Sequence, residues 1–204
     1  MRLFLAVDLD AAAAGAVAHA AERLRRRAED RQRGLARTVR WVEPGRLHLT
    51  LHFLGEVEDS RLAGMQAALA SPLTVWPARV GLGPWGVFPP AGAARVIWIG
   101  VTAGRATLDL GYAELGVRLA QAGITLEARP FAPHLTVGRV TRPAGLAWGT
   151  LVQDEPPALC EFAVSSCTLY QSRLSPGGPA YEPLLRIPFA GCPPGGPDAD
   201  GTMS

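Results

Sequence analysis

Lysine is absent from this 204-residue sequence, and all twenty basic residues are arginine. A lysine adenylate is therefore impossible, which excludes the usual nucleophile of ATP-dependent nucleic-acid ligases. The formal net charge is only +2, so no strong overall field attracts polyanions to the whole surface. Recognition of an anion is expected to be local.

Cysteine is also scarce, since Cys160, Cys167 and Cys192 are scattered and form no Cys-x-x-Cys pair. This excludes a disulfide framework and fits a reducing cytoplasm. No apolar run reaches the length that spans a bilayer. Asp8 and Asp10 interrupt the apolar N-terminal segment, so we expect a strand followed by a helix N-cap at Asp10 rather than a secretory signal. We expect a soluble chain with no membrane partner.

The hydrophobic fraction of 48% suffices for one domain with a sizeable core. Runs of adjacent strands between helices favour antiparallel sheets in an α+β fold over a parallel sheet. The predicted helices cover residues 11–34, with Asp10 as cap and Gly34 as end, 58–71 and 106–123. The predicted strands cover residues 2–9, 38–43, 47–57, 133–140, 160–174 and 181–189, with a hairpin in 72–104.

Two of the four histidines open the same tripeptide, His-Leu-Thr, at residues 48–50 and 134–136. Alternate residues of a strand share a face. His48 and Thr50 are therefore predicted to face one side together with His52, and His134 is predicted to share a face with Thr136. The apolar residues between them, including Phe53 after His52, are predicted to face the core.

Two imidazoles suit a reaction that needs a proton acceptor and a proton donor, because histidine titrates near pH 6.5. Thr50 and Thr136 can hydrogen-bond an oxyanion held between the rings. Two such units make a nearly symmetric cradle for one tetrahedral phosphate. A zinc site is the alternative, but catalytic zinc usually takes three protein ligands and no third is evident. We therefore expect no metal.

These two motifs resemble the signature motifs of the two-histidine phosphoesterases, and in particular the bacterial and archaeal RNA 2′,3′-cyclic phosphodiesterases, first described as 2′-5′ RNA ligases. The segments "RLFLAVDL", "RWVEPGRLHLTLHFLGEV", "GVFPPAGAARVIWIGV", "FAPHLTVGRV" and "LYQSRLSPGGPAYEPL" share this resemblance, which covers roughly residues 2–189. It implies a bilobal α+β fold of two pseudo-symmetric antiparallel sheets flanked by helices, with a central groove. We expect one domain over residues 1–190 and a disordered tail over 191–204, which is rich in Gly, Pro and Asp.

The resemblance also implies no metal and no nucleotide cofactor. It implies that a 2′,3′-cyclic phosphate at an RNA end is opened to a 2′-phosphate, with His48 as proton donor and His134 as proton acceptor. The near symmetry means that the residues alone do not assign these two roles. We expect a cytoplasmic monomer whose partner is RNA.

Arg139 matches an arginine that the family uses at the phosphate, and a guanidinium suits that anion. Strict alternation puts Arg139 on the face opposite His134. Gly138, immediately before it, can permit a bulge that turns Arg139 inward.

Alternatives remain open at this stage. The same site can serve 2′-5′ ligation or a small cyclic nucleotide, and a protein with this groove can also be an RNA-end binding module without catalysis. His52 is a candidate rim contact to RNA, and Phe131, Trp41 and Phe88 are candidates to stack a terminal base. The arginines within residues 23–33 can hold an RNA backbone or form a solvated helix face.

Overall fold

The computed structural model describes residues 1–126, 130–142, 147–156, 159–175 and 178–191. Within these ranges the chain forms nine strands and four helices. The strands are β1 (Arg2–Asp8), β2 (Val39–Trp41), β3 (His48–Glu56), β4 (Ala78–Phe88), β5 (Val96–Ala103), β6 (His134–Val140), β7 (Cys160–Val164), β8 (Ser166–Ser175) and β9 (Gly178–Pro188). The helices are α1 (Ala11–Arg31), α2 (Asp59–Leu69), α3 (Arg105–Gln121) and α4 (Ala147–Gln153). The predicted tail lies outside the described residues apart from its first residue, and so does Cys192.

The strands form one sheet in the order β7-β4-β5-β6-β3-β1-β8-β9, with β2 also paired to β6. Every strand pair in it is antiparallel. One half of the sheet is built around β6 and the other around β3, and the halves meet where β3 pairs with β6. The predicted α+β fold with two antiparallel halves is confirmed, and the halves are hydrogen-bonded into a continuous sheet.

Helix α1 shows why local sequence and packing agree in this fold. The Asp10 side chain accepts a hydrogen bond from the Ala13 backbone N–H at 2.8 Å, which satisfies one of the donors left unpaired at a helix start. Its buried residues recur every three or four positions and are Ala13, Val17, Ala20, Leu24 and Ala28. No helix within the described residues is long and apolar enough to cross a membrane.

The predicted end of α1 at Gly34 was wrong by three residues. The helix ends at Arg31 because Gln32 takes an extended conformation, with φ of −156°. Gly34 instead has φ of +83° and precedes a short 3-10 helix at Leu35–Thr38. Glycine takes this left-handed conformation without the steric cost that other residues have.

The segment 160–174, predicted as one strand, is divided by Ser165 between the two halves of the sheet. Strand β7 pairs with β4 in one half, and β8 pairs with β1 and β9 in the other. Alternation along the sequence does not reveal this division, because both strands have the same period and only their tertiary partners differ. Helix α4 was also missing from the prediction.

Candidate active site

The two motif strands are neighbours in the sheet and meet within the motif itself. Leu49 of β3 lies opposite Leu135 of β6 in an antiparallel pair. This register places His48 across from Thr136 and His134 across from Thr50. Residues directly opposite one another on neighbouring strands have Cβ atoms about 4.5–5.5 Å apart. The predicted pairing of both His-Leu-Thr units across one groove is therefore present.

The two sides of the sheet differ as the alternation predicted. Leu49 and Leu135 are fully buried in the hydrophobic core, whereas the two histidines and their threonines are only half-buried. Neither threonine hydroxyl has a hydrogen-bond partner among the described residues. Both hydroxyls are therefore available to a ligand in the groove.

Each of the two histidines is oriented by a carbonyl two residues earlier in the chain. His48 Nδ1 lies 2.8 Å from the Arg46 carbonyl oxygen, and His134 Nδ1 lies 2.8 Å from the Ala132 carbonyl oxygen. Because a carbonyl only accepts, Nδ1 carries the proton in both rings. In each neutral ring Nε2 is the nitrogen that exchanges a proton with a bound ligand.

Aromatic rings and one carboxylate surround His48. The Phe4 and Tyr181 rings have centroids 5.0 and 5.3 Å from that of His48. Asp8 lies directly across from His48 on β1, and its carboxylate accepts hydrogen bonds from Thr168 Oγ1 and Tyr170 Oη. Desolvation by burial lowers the pKa of His48, while its backbone hydrogen bond and the charge of Asp8 oppose this shift.

His134 lies against different neighbours. The Phe88 ring is 5.1 Å from it and nearly perpendicular, and the Trp98 ring is 6.2 Å away. Trp98 lies opposite Thr136 on β5 and thus on the groove face. The Trp98 indole N–H is buried without a hydrogen-bond partner among the described residues. Phe88, predicted as a base-stacking candidate, is 37% exposed beside His134.

A β-bulge follows the first motif. On β1, Ala6 opposes Thr50 and the next residue back, Leu5, opposes His52. Strand β3 therefore carries one extra residue at this point, Leu51. A one-residue bulge reverses the faces of the residues that follow it, up to the next irregularity of the strand.

The second motif has a bulge at the same distance from its histidine. On β5, Trp98 opposes Thr136 and Ile97 opposes Gly138. The extra residue of β6 is therefore Val137, the third after His134, just as Leu51 is the third after His48.

In β6 the bulge turns Arg139 to the groove face, as the glycine before it suggested. Arg139 is exposed, and its charge acts on His48 to lower that histidine's pKa. Arg139 thus lies on the groove face of β6 and acts on the histidine of the neighbouring strand β3. Phe53, which stands five residues after His48 as Arg139 does after His134, is likewise turned outward and is 57% exposed. Sequence alternation missed Phe53, and only its shared spacing with Arg139 could have indicated it.

The prediction for His52 was wrong, because the bulge in β3 turns it to the core. Its side chain is buried, with 5% of the residue exposed, and its ring stacks on Tyr112 of α3 at 4.1 Å. Nε2–H donates to the Tyr112 carbonyl at 2.8 Å. Burial lowers the pKa of His52. His52 therefore cannot contact RNA at the rim of the groove.

Two further aromatic candidates also lie away from the histidine rings. Trp41 packs edge-on against the buried Trp148, and its position opposite Gly138 puts it on the core face. Phe131 stacks on Tyr112 at 4.3 Å, so it anchors the segment before His134.

The basic part of α1 is partly neutralised by acidic residues. Arg23 and Arg27 both hydrogen-bond Glu155, and Arg27 also binds Asp154. Within the described ranges, no group of three or more His, Cys, Asp or Glu side chains is arranged to hold a metal ion.

This geometry agrees with comparisons to known proteins. The family described as "LigT like Phosphoesterase" matches residues 15–98. An RNA 2′,3′-cyclic phosphodiesterase of Thermotoga maritima is 31% identical over 94% of this chain and 97% of its own length. A protein of the same name from Methanothermobacter thermautotrophicus is 34% identical over 90% of this chain and 96% of its own length.

The chain belongs to the LigT-like phosphoesterases. Solved structures of similar fold include a Thermus thermophilus protein with a TM-score of 0.72 and 30% identity, covering 94% of this chain and 99% of that one. LigT of E. coli, crystallised with 3′-AMP, has a TM-score of 0.67 and 27% identity, covering 93% of this chain and 98% of that one. The predicted membership of this phosphoesterase family is confirmed.

Proposed function

We propose that this LigT-like phosphoesterase hydrolyses the terminal 2′,3′-cyclic phosphate of RNA to a 2′-phosphate. The observation that carries the proposal is the antiparallel meeting of two His-Leu-Thr units in one groove, with Leu49 opposite Leu135. The substrate class is supported by relatives that are named RNA 2′,3′-cyclic phosphodiesterases and align with most of the chain.

The proposed reaction uses the histidines as an acid and a base. His134 Nε2 removes a proton from water, whose oxygen forms a new bond to phosphorus opposite the ribose O3′. The P–O3′ bond breaks, and His48 Nε2–H gives its proton to O3′. Water is thus divided between the phosphate and the 3′-hydroxyl, and the phosphate stays on O2′.

Thr50, Thr136 and Arg139 are proposed to stabilise the phosphate as its charge redistributes. The threonine hydroxyls lie on the groove face and have no described partner, so each can donate to a nonbridging oxygen. Arg139 adds a fixed positive charge on the same face. Donors that are already in position stabilise the transition state without reorganisation.

We also propose that the reaction needs neither a metal nor a nucleotide cofactor, because these side chains supply the acid, the base and the oxyanion donors. A monomeric state and a cytoplasmic location stay predictions. Light scattering of the purified protein tests the first, and cell fractionation tests the second.

The test is turnover of an RNA that ends in a 2′,3′-cyclic phosphate, measured in EDTA with separation of 2′- and 3′-phosphate products. We expect a 2′-phosphate product from the wild type. His48→Ala and His134→Ala should each lose about 10²- to 10⁴-fold in kcat, the range for removal of a general acid or base.

His19→Ala is the matched control, because His19 is exposed on α1 and belongs to neither motif strand, so this variant should keep wild-type turnover. Tight binding of the RNA end without any turnover would instead identify a binding module. Turnover that EDTA abolishes and added metal restores would contradict the proposed metal independence.

A further inference from the structure

Two arginines on the groove face oppose each other directly. Arg40 of β2 pairs with Arg139 of β6. The residues on either side of Arg40 pack toward the core, so the side chains of Arg40 and Arg139 both leave the backbone on the groove face. Both residues are exposed. Like charges directly opposite one another in a sheet are destabilising, so this pair has a cost in the protein without a ligand.

Neither the Arg40 nor the Arg139 side chain has a hydrogen bond or ion pair with any residue that the structure describes. Many other arginines have a carboxylate partner. These are Arg23 and Arg27 with Glu155, Arg25 and Arg26 with Glu22, Arg79 with Glu161, Arg105 with Asp109, Arg118 with Glu114, and Arg173 with Glu182. The two opposed guanidinium groups therefore stand out as a concentrated positive charge without an internal counterion among the described residues.

The backbone holds this pair in a defined place. Strand β2 lies beside β6 beyond the bulge, and the Val42 N–H donates to the Val137 carbonyl at 2.8 Å. The close approach depends on Gly138, since a Cβ there would lie 2.6 Å from Val39 Cγ1. Along β6 the groove face thus presents His134, Thr136 and then the Arg40–Arg139 pair.

We propose that Arg40 binds the phosphodiester that precedes the terminal nucleotide, while Arg139 faces the reacting phosphate. This subsite rests on the proposed function and narrows its substrate class to RNA ends of two or more nucleotides. A cyclic mononucleotide brings one phosphate to the two guanidinium groups, whereas a dinucleotide brings two phosphates, one for each group. Each arginine is long enough to turn toward a separate phosphate, which relieves their mutual repulsion.

The experiment compares kcat/KM for a 2′,3′-cyclic mononucleotide with that for a dinucleotide bearing the same cyclic end. Wild type should prefer the dinucleotide. Arg40→Gln should lower the value for the dinucleotide about tenfold or more beyond any change for the mononucleotide, mainly through KM, because a charge-assisted hydrogen bond to phosphate is lost.

Two controls separate the subsite from a general effect of charge. Arg31→Gln removes one positive charge from an exposed position in the last turn of α1 and should leave the preference intact. A dinucleotide with a neutral methylphosphonate linkage should lose its advantage with wild type, and Arg40→Gln should have no selective effect on it. Thermal unfolding of Arg40→Gln should occur at or above the wild-type temperature, since a like-charge contact is removed.

Equal losses on the mononucleotide and the dinucleotide would overturn the proposal and assign Arg40 to the reacting phosphate. No selective loss on the dinucleotide would also overturn it. If wild type turns over neither substrate, the proposed function fails separately. Calorimetric binding of a nucleoside 2′-phosphate and a dinucleotide 2′-phosphate then tests the subsite, which fails if Arg40→Gln does not selectively weaken the dinucleotide.

Discussion

His48 and His134 have equivalent backbone positions, but their neighbours differ. Each ring is held through Nδ1 by a carbonyl two residues earlier, and each motif is followed by a bulge. Beside His48 lie an opposed carboxylate, Asp8, and the rings of Phe4 and Tyr181. His134 instead has Phe88 and Trp98 beside it.

The residues beyond the two bulges differ as well. The fifth residue after each histidine faces the groove, and it is Phe53 in one half and Arg139 in the other. A shared backbone thus places two acid-base groups symmetrically, while the residue beyond each bulge makes one half aromatic, at Phe53, and the other cationic, at Arg139. We expect this asymmetry to favour one orientation of a substrate that carries one phosphate and one base.

Of the substitutions at Phe53, Asp8 and His52, which leave both catalytic histidines in place, that of Phe53 should have the largest effect on substrate binding, and it tests the aromatic half of the groove. Phe53→Ala should raise KM about tenfold or more with little change in kcat, because stacking of a base on an aromatic ring is lost. Steady-state kinetics on a cyclic-phosphate dinucleotide measure this.

Val117→Ala is the matched control, since Val117 is a similarly exposed apolar residue, at 58%, on α3. An unchanged KM in Phe53→Ala would show that the base does not bind in this half of the groove.

Removal of the Asp8 charge tests whether His48 is the proton donor or the proton acceptor. Asp8→Asn keeps an oxygen acceptor for Tyr170 but removes a charge that raises the pKa of His48. If His48 is the proton donor, less of it is protonated at neutral pH and kcat/KM falls. The loss should stay below about tenfold, which one pKa unit would cause.

The opposite sign would follow if His48 were the base, because more of it would then be neutral and kcat/KM would be kept or raised. Asp30→Asn removes an equal charge from an exposed position on α1, where it is not among the charges that act on His48, and should leave kcat/KM unchanged.

His52 gives the smallest expected effect, which concerns stability rather than turnover. Burial lowers the pKa of His52 in the folded protein, so its contribution to stability is present above about pH 6.5 and is lost as the pH falls toward the folded pKa. His52→Phe keeps a ring against Tyr112 and removes the titrating group. The substitution should lower the free energy of unfolding by about 1 kcal/mol at pH 7, because a hydrogen bond is lost. It should also weaken the fall in stability between about pH 7 and pH 5.

Denaturant unfolding at several pH values measures this slope. His48 also has a lowered pKa, so part of the decline should remain. A wild-type slope in His52→Phe would show that His52 is not a source of the pH dependence.

Periodicity predicted the strands and their buried faces. The repeat of His-Leu-Thr and the family resemblance indicated that the two motifs meet in one groove. Periodicity failed at the bulge in β3, where the strand carries one extra residue. The bulge changes the face of His52 and Phe53, and the hydrophobic pattern does not show it. Arg139 was the exception, since Gly138 gave a local reason for a bulge. The division of 160–174 at Ser165 depends on which strands lie beside it, which is tertiary information.

His48 and His134 have equivalent backbone positions but are proposed to have different roles in proton transfer. The direct test is a terminal 2′,3′-cyclic phosphate in which sulfur replaces O3′, assayed with wild type, His48→Ala and His134→Ala. A thiolate is a weak base, with a pKa near about 8.5 for cysteine, and can leave without receiving a proton. We predict that the sulfur substrate restores turnover to His48→Ala and not to His134→Ala. Restored turnover in His134→Ala alone would contradict this assignment and would make His134 the proton donor and His48 the proton acceptor.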